Sequence, residues 1–265
     1  MTIQHPSVPI AQKEKLSDDL FRMSFRSPVI AAGLKPGNFV HIRVAAEMDP
    51  LFRRAMSVHS CDGDIFRIMF RVVGRGTRLL SLMDKGDSVD MLGPLGNTFD
   101  PPGSDEIAIM VAGGTGVPPL HFLTNKLLGD DPGIRDRVIF LCGISSERDY
   151  PLAESTEKLD IAFRLSSDDG SIGEKGFVTQ LLESELNQRD RDKIRVYSCG
   201  PDVMLREVRR ICIERRVRCQ ISLEGNMPCG IGTCLGCVVR TTRSEDEFDR
   251  ICMEGPIFNC DEVVI

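Results

Sequence analysis

The sequence predicts an α/β plus β fold: an antiparallel β-barrel, an α/β domain with a parallel sheet, and a small cysteine-rich subdomain. Three observations predict this order. Short alternating strands fill the first hundred residues, strands and helices alternate after the linker at residues 101–104 (PPGS), and cysteine and glycine dominate the C-terminal tail. We place the boundaries at 1–101, 102–217 and 218–265. A chain of 265 residues is long enough for two domains and an appendage.

The barrel is predicted from alternating apolar and polar residues. Strands are expected at FRMSFRS (21–27), NFVHIRV (38–44) and IFRIMFRVV (65–73), with turn signals at 35–38 and 62–64. A short helix is expected from Arg78 to Met83. Several short strands without a long helix indicate a small antiparallel barrel.

The second domain begins with a continuous apolar run, IAIMVA (107–112), which is typical of a strand covered on both faces. A glycine-rich turn and a helix to Leu128 follow. Further strands are expected at 138–142, 161–165 and 194–199, and helices at 177–186 and 203–215. This alternation predicts a parallel sheet with right-handed crossovers.

Charge and hydropathy exclude several classes of partner. The formal net charge is −6, which argues against a nucleic-acid partner because phosphates require a basic surface. No apolar run approaches the ~20 residues that cross a bilayer, so we expect no membrane partner. The first twenty residues contain no apolar core of a signal peptide. A cytoplasmic location is expected.

The cysteines of the tail carry the most specific signal. Cys229, Cys234 and Cys237 have the spacing C-x4-C-x2-C, and Cys252 follows. This is the arrangement that plant-type ferredoxins use for a [2Fe–2S] cluster, and the interspersed glycines let backbone amides approach the sulfur atoms. A zinc site is the alternative, but structural zinc sites favour two paired knuckles and only one is present. Cys260 is the alternative to Cys252 as the fourth ligand.

Three segments of the barrel suit a planar ligand that carries phosphate. Residues 53–57 (RRAMS) supply guanidinium groups and a hydroxyl, residues 73–77 (VGRGT) place flexible amides before a helix, and residues 93–97 (GPLGN) are expected to form a tight turn. Any one of these segments alone is more often an ordinary turn.

Two strand ends of the second domain also suit a nucleotide. Residues 112–119 (AGGTGVPP) follow the buried strand and open a helix, although they do not match the G-x-G-x-x-G fingerprint. Residues 198–201 (SCGP) follow another strand. Ligands of α/β sheets bind at the carboxyl ends of the strands.

In this order the motifs resemble those of the ferredoxin–NADP reductase superfamily, and the cluster loop narrows the resemblance to the electron-transfer subunits of type B dihydroorotate dehydrogenase. The resemblance covers nearly the whole chain, and residues 222–238 are its most specific stretch. It implies an FAD-binding barrel, an NAD-binding middle domain and a [2Fe–2S] tail.

The resemblance also implies particular site residues. The residues implied to bind the flavin are Arg54, Ser57, Arg71, Val72, Val73, Gly76 and Thr77. Those implied to bind the nicotinamide cofactor are Gly113, Gly114, Gly116, Cys199 and Gly200, and those implied to bind the cluster are Cys229, Cys234, Cys237 and Cys252. The family usually has proline and an aromatic residue where this chain has Ala55 and Met56. Related subunits of NADPH-linked complexes tend to have Asp where this chain has Cys229, which favours the dihydroorotate branch.

The resemblance implies an electron-transfer subunit in pyrimidine biosynthesis. Electrons from dihydroorotate, oxidised at FMN in a catalytic partner chain, would pass through [2Fe–2S] and FAD to NAD⁺, with two copies of each chain in the complex. Such a relay requires no catalytic acid, base or nucleophile from this chain. The alternatives are an NAD(P)H-dependent reductase subunit serving an oxygenase, hydrogenase or ferredoxin, and a redox sensor without enzymatic activity.

Overall fold

The computed structural model describes residues 3–4, 6–45, 49–244 and 246–265. Over these ranges the chain forms a closed six-stranded barrel, a seven-stranded sheet and a three-stranded sheet. The fold class predicted from the sequence is confirmed. No helix in the described part of the chain is long and apolar enough to cross a membrane.

The barrel is antiparallel, with the strand order β1-β2-β5-β4-β3-β6 and closure between β1 and β6. Its inward side chains form a core of aliphatic residues and phenylalanines, including Phe25 and Phe66, which stack at 5.6 Å between ring centroids. The elements are β1 (Ser7–Lys15), β2 (Leu20–Arg26), α1 (Pro28–Ala31), β3 (Phe39–Ile42), β4 (Arg54–Asp62), β5 (Ile65–Arg71), α2 (Arg75–Leu82) and β6 (Ser88–Leu95).

The seven-stranded sheet has the order β10-β9-β8-β7-β11-β12-β15, and its strands are parallel except for β15. Proline in the first turn of α3 suits a position where a backbone N–H has no helical partner. The elements are β7 (Ile107–Gly113), α3 (Val117–Asp130), β8 (Val138–Ile144), α4 (Glu154–Glu157), β9 (Ala162–Ser167), β10 (Glu174–Lys175), α5 (Val178–Asn187), β11 (Ile194–Cys199), α6 (Asp202–Arg215) and β12 (Arg218–Ser222), with 3-10 turns at Gly114–Gly116, Pro132–Arg137, Glu147–Leu152 and Arg191–Lys193.

The tail folds around a three-stranded sheet of order β14-β13-β16. Its strands are β13 (Val238–Thr241), β14 (Phe248–Arg250) and β16 (Val263–Val264), while β15 (Ile257–Asn259) pairs with β12 at the edge of the large sheet. The large sheet therefore continues across the boundary predicted between residues 217 and 218. The three domain boundaries remain predictions.

The outer face of the barrel packs against the tail and the large sheet. One core contains Phe39 and Leu95 of the barrel, strand residues of the large sheet, and Met227, Cys237 and Cys252 of the tail. This shared core holds the cysteine loop against the end of the barrel that carries the predicted flavin segments.

Candidate cofactor-binding sites

A cavity of about 320 Å³ lies where the barrel, the large sheet and the tail meet. Four of the predicted flavin residues line it: Ser57, Arg71, Val73 and Thr77. Ala55 and Met56, which belong to the predicted flavin segment 53–57, also line it. Sequence reasoning did not predict the other walls as flavin contacts, which are Phe39, Met69 and Phe70 from the barrel, Thr115 and Pro118 after β7, and Ser222, Leu223, Glu224, Gly225, Met227 and Pro256 from the tail. A ligand in this cavity would contact all three parts.

The loop before α2 is held by the Thr77 hydroxyl. Its oxygen accepts hydrogen bonds from the backbone N–H of Val73 at 3.0 Å and of Gly74 at 3.3 Å, and it donates to the Gly74 carbonyl at 3.1 Å. The first-turn N–H groups of a helix have no helical partner, and they favour an anion. The N-terminus of α2 can therefore accept a phosphate group.

Arg54 crosses the start of α2 at Gly76. A Cβ atom at Gly76 would overlap the Arg54 guanidinium, so glycine is required for this approach. The guanidinium donates hydrogen bonds to the Phe52 and Arg53 carbonyls, at 2.5 and 3.3 Å. Arg54, Val72 and Gly76 are not among the residues that line the cavity. Arg54 and Gly76 instead place a positive charge beside the N-terminus of α2.

Arg71 joins the barrel to the large-sheet domain. Its guanidinium donates to both Asp19 carboxylate oxygens at 2.7 Å and to Asp149 at 2.6 Å. The hydrogen bond from Arg71 lowers the pKa of Asp19. Arg71 lines the first cavity and also a second one, so it marks the border between them.

The second cavity, of about 1200 Å³, opens at the carboxyl ends of the parallel strands. Gly113 and Gly114 line it, as predicted residues of the nucleotide site. Gly116 has a different role, because a Cβ atom there would overlap the carbonyl of Cys199 at the end of the neighbouring strand.

Cys199 and Gly200 pack beneath this cavity and are not among its lining residues. The Cys199 side chain is 1% exposed, and burial raises the pKa of its thiol. A Cβ atom at Gly200 would lie 3.0 Å from the backbone nitrogen of Gly113. These residues bring two strand ends together.

Two exposed apolar side chains of the second cavity were missed by sequence reasoning. Phe177, before α5, is 64% exposed, and Val203, in the first turn of α6, is 75% exposed. Arg206 lies one turn further along α6 and also lines the cavity. Their exposure is a property of the fold, and no signal in the sequence marked them.

The four predicted cluster cysteines form two contacting pairs. Cys229 hydrogen bonds with Cys234, and Cys237 with Cys252. Burial, followed by contact with Cys237, raises the pKa of Cys252 to about 12. Each iron of a [2Fe–2S] cluster takes two of the four cysteine thiolates. Two adjacent thiol pairs suit this requirement.

The loop around Cys229 supplies hydrogen-bond donors to sulfur. Burial acts to raise the pKa of the Cys229 thiol, but hydrogen bonds from the Thr233 hydroxyl and the backbone of Ile231 and Cys234 outweigh burial and hold the pKa at about 6. The backbone N–H of Gly236 lies 3.4 Å from the Cys234 sulfur. Such donors stabilise thiolate, which is the form that binds iron. Within the described residues no three of these side chains are gathered into one metal site, but the two thiol pairs and their donors are of the kind that a cluster requires.

Cys260, the alternative fourth ligand, lies in another group of thiols. It is directly opposite Cys219 across β12 and β15, and its backbone N–H donates to the Cys219 carbonyl at 2.9 Å. Cys219 also hydrogen bonds with Cys212. The structure thus places Cys252, and not Cys260, beside Cys237.

Comparison with known proteins gives matches over nearly the whole chain. Residues 224–264 match the iron-sulfur cluster binding domain of dihydroorotate dehydrogenase B, and residues 110–210 match the oxidoreductase NAD-binding domain. The chain is 33% identical over 260 residues to the dihydroorotate dehydrogenase B (NAD(+)) electron transfer subunit of Bacillus pumilus, which covers 97% of this chain and 96% of the relative. The subunit of Desulforamulus reducens is 35% identical over 252 residues and covers 94% of each chain.

Solved structures show the same fold. A chain of the NADH-dependent reduced ferredoxin-NADP oxidoreductase, a structure concerned with flavin-based electron bifurcation, has a TM-score of 0.84 and 25% identity over 97% of this chain and 89% of its own. A ferredoxin NADP+ reductase from Neisseria gonorrhoeae, solved with bound FAD and NADP, has a TM-score of 0.66 and 18% identity over 80% of this chain and 91% of its own.

Proposed function

The chain belongs to the family of dihydroorotate dehydrogenase B electron-transfer subunits, and we propose that it carries electrons from dihydroorotate, oxidised at FMN in a catalytic partner chain, to NAD⁺. Its cofactors are a [2Fe–2S] cluster, FAD and NAD. The resemblance inferred from the motifs is confirmed. The reductase alternative is not favoured, because curated relatives that match over the whole chain are named for dihydroorotate dehydrogenase B.

The observation that carries this proposal is the position of the first cavity. Arg71, Val73 and Thr115 line both cavities, so a flavin in the first would adjoin a nicotinamide in the second. The tail residues Leu223 and Met227 form another wall of the first cavity, a few residues before Cys229. One flavin site thus lies between a dinucleotide site and a cluster loop.

Bound FAD would exchange electron pairs with the nicotinamide and single electrons with the cluster. The chain's own contribution is binding and orientation. We assign the flavin to Ser57, to the N-terminus of α2 beginning near Gly76 and Thr77, and to Arg54. Arg71 would fix the position of the barrel relative to the large-sheet domain through its ion pairs with Asp19 and Asp149.

We assign the dinucleotide to the second cavity. Gly113 and Gly114 let it approach the end of β7 without a side chain in the way. Phe177 and Val203 offer exposed apolar surfaces on which a base can stack, and Arg206 can pair with its phosphate groups. Cys199 and Gly200 would act indirectly, by holding the two strand ends together.

We assign the cluster to the pairs Cys229–Cys234 and Cys237–Cys252. The donors from Thr233 and the loop backbone would stabilise their thiolates. The surface beside them would meet the partner. Exposed apolar side chains surround it, and we call them the tail patch: Ile231, Leu235, Val238, Phe248 and Met253, each 40–63% exposed. We propose two copies of each chain in the complex and a cytoplasmic location, which suits a chain with ten free thiols.

The test is anaerobic reduction, followed by visible spectroscopy, with and without a co-expressed dihydroorotate dehydrogenase catalytic subunit. NADH should bleach both flavin and cluster in the isolated chain. Dihydroorotate should bleach them only in the complex. Bleaching by dihydroorotate in the isolated chain, or failure of the catalytic subunit to bind, would contradict the proposal.

A further inference from the structure

His41 is a fully buried histidine on the outer face of the barrel. It lies in β3 two residues after Phe39, so both side chains point to the same face of the strand. Across the sheet it pairs with Ala55 of β4 and Leu92 of β6, and both of these pack against the core that the barrel shares with the tail. His41 is therefore a polar side chain inside a largely apolar contact between barrel and tail.

The imidazole ring touches the cluster loop. A Cβ atom at Gly230 would lie 2.5 Å from His41 Nδ1, and Gly230 has the positive φ of +70° that favours glycine. The carbonyl groups of Cys229 and Met227 in the loop, and that of Arg53 just before β4, lie near enough to the ring to act as acceptors. Gly230 is thus constrained both by its backbone conformation and by the histidine beneath it.

The ring nitrogens of His41 lack complete hydrogen bonds. Both are buried, and no partner within the described residues meets them with full hydrogen-bond geometry. An imidazole ring carries at least one N–H in either protonation state. A buried N–H without an acceptor is unfavourable. The loop carbonyls beside the ring can satisfy it.

We propose that His41 is a positioning residue that anchors Cys229 and Gly230 to the barrel and so sets the separation of cluster and flavin. Phe39 and Met227 line the flavin cavity, Cys229 is an assigned cluster ligand, and His41 contacts the loop at Gly230, the residue after Cys229. Electron transfer slows steeply with the separation of the two centres. The inference rests on the proposed function.

The first test compares His41→Leu with His41→Asn, whose amide nitrogen can take the position of Nδ1. We expect NADH to reduce the flavin at the wild-type rate in both variants. In His41→Leu, reduction of the cluster by the flavin should slow about tenfold, because a small displacement of reacting centres has a large effect on rate. The midpoint potential and the electron paramagnetic resonance spectrum of the reduced cluster should shift in His41→Leu and return towards wild type in His41→Asn.

His59→Leu is the matched control, because His59 is also a buried barrel histidine but contacts Ser155 and His121 instead of the tail. It should leave the cluster spectrum unchanged. A second test combines Gly230→Ala with His41→Ala. If the two residues are in contact, the loss of bound iron caused by Gly230→Ala should be smaller in the His41→Ala background.

Three results would overturn the inference: a wild-type cluster spectrum and reduction rate in His41→Leu, an equal spectral change in His59→Leu, or additive effects of Gly230→Ala and His41→Ala. Failure of the proposed function is distinguishable. It would appear in the wild-type chain as absence of bound iron or of flavin reduction by NADH, whereas failure of the inference leaves both intact.

Discussion

Single residues determine the position of the Arg54 guanidinium and the choice of the thiol that lies beside Cys237. Gly76 leaves room for the Arg54 guanidinium, and Cys252 rather than Cys260 meets Cys237. Spacing identified the first three predicted cluster ligands, because they lie in one short loop. It could not decide between Cys252 and Cys260, because that choice depends on how the later strands return to the sheet.

Replacing Gly76 by alanine should weaken FAD binding with little loss of stability. The new Cβ would overlap the Arg54 guanidinium, which is the end of a flexible side chain and can move away. Loss of one charge-assisted contact to phosphate should raise the dissociation constant for FAD about tenfold or more. Flavin fluorescence titration measures it. Gly74→Ala is the control, because nothing lies within 4 Å of its Cβ position, and an equal effect there would contradict the explanation.

Serine substitutions separate the two candidate fourth ligands. Cys252→Ser should lower the iron content and bleach the visible absorption of the cluster, because it removes one of the four thiolates. Cys260→Ser should retain the cluster, since Cys260 contacts Cys219 instead. Iron analysis of anaerobically purified protein measures both. Retention of iron in Cys252→Ser together with its loss in Cys260→Ser would reverse the assignment.

At the scale of elements, the periodicity of apolar residues predicted the helices and the buried strands. It did not predict strands whose sequences are polar or contain glycine. The predicted helix 203–215 matches α6 closely, and the run 107–112 matches β7. β1 was missed because its second half, residues 11–15 (AQKEK), shows no apolar alternation and has no fully buried side chain. The turn predicted at 93–97 was wrong for residues 93–95, which end β6, and only Gly96 turns, with φ +75°. The tail strands have two to four residues, which is too short for an alternating pattern to be recognised in the sequence.

β4 and α3 meet through a pair of stacked histidines. The rings of His59 and His121 are 4.2 Å apart between centroids, and both side chains are buried. His121 Nδ1 lies 2.9 Å from the Thr156 hydroxyl, and Asn125 donates to its Nε2 at 2.7 Å. Burial lowers the pKa of both rings, that of His121 to about 4. The contact therefore requires neutral imidazoles.

This stack predicts a loss of stability in mild acid. Because the folded-state pKa of His121 is below the unfolded value of ~6.5, the unfolded chain binds the proton first, and stability falls as the pH drops from about 6.5 to about 4. In the wild-type chain this protonation should lower the free energy of unfolding by about 3 kcal/mol between these pH values. The variant His121→Gln should lack that decrease. Urea unfolding at several pH values measures it. An unchanged pH dependence in the variant would show that His121 titrates normally in the folded chain.

At the scale of the whole molecule, the two cavities and the cysteine loop adjoin one another. The second cavity, which we assign to the dinucleotide, adjoins the first, which we assign to the flavin, at Arg71, and the tail closes the other side of the first cavity before it reaches the cysteines. Sequence reasoning predicted the three parts and their order. It could not predict that tail residues line the flavin cavity, because that contact joins segments more than a hundred residues apart.

A charge placed in the tail patch should block reduction of the cofactors by dihydroorotate but not their reduction by NADH. Leu235→Glu should abolish reduction of the cofactors by dihydroorotate in the presence of the catalytic subunit, because an unpaired charge would be buried at the contact. Reduction by NADH in the isolated chain should not change. Val29→Glu, at an apolar barrel position that is 54% exposed, is the control. Equal loss in both variants would contradict an interface at the tail patch.

The antiparallel strand β15 has a consequence for solubility. An exposed sheet edge presents unpaired N–H and carbonyl groups that can recruit another chain and start aggregation. β15 covers that edge of β12 through pairings from Gln220 to Ser222. A truncated chain that ends after β12 would expose this edge, and a charged or proline residue on β12 would be needed to keep it from self-associating. The tail that carries the predicted cluster ligands thus also protects the large sheet from polymerisation.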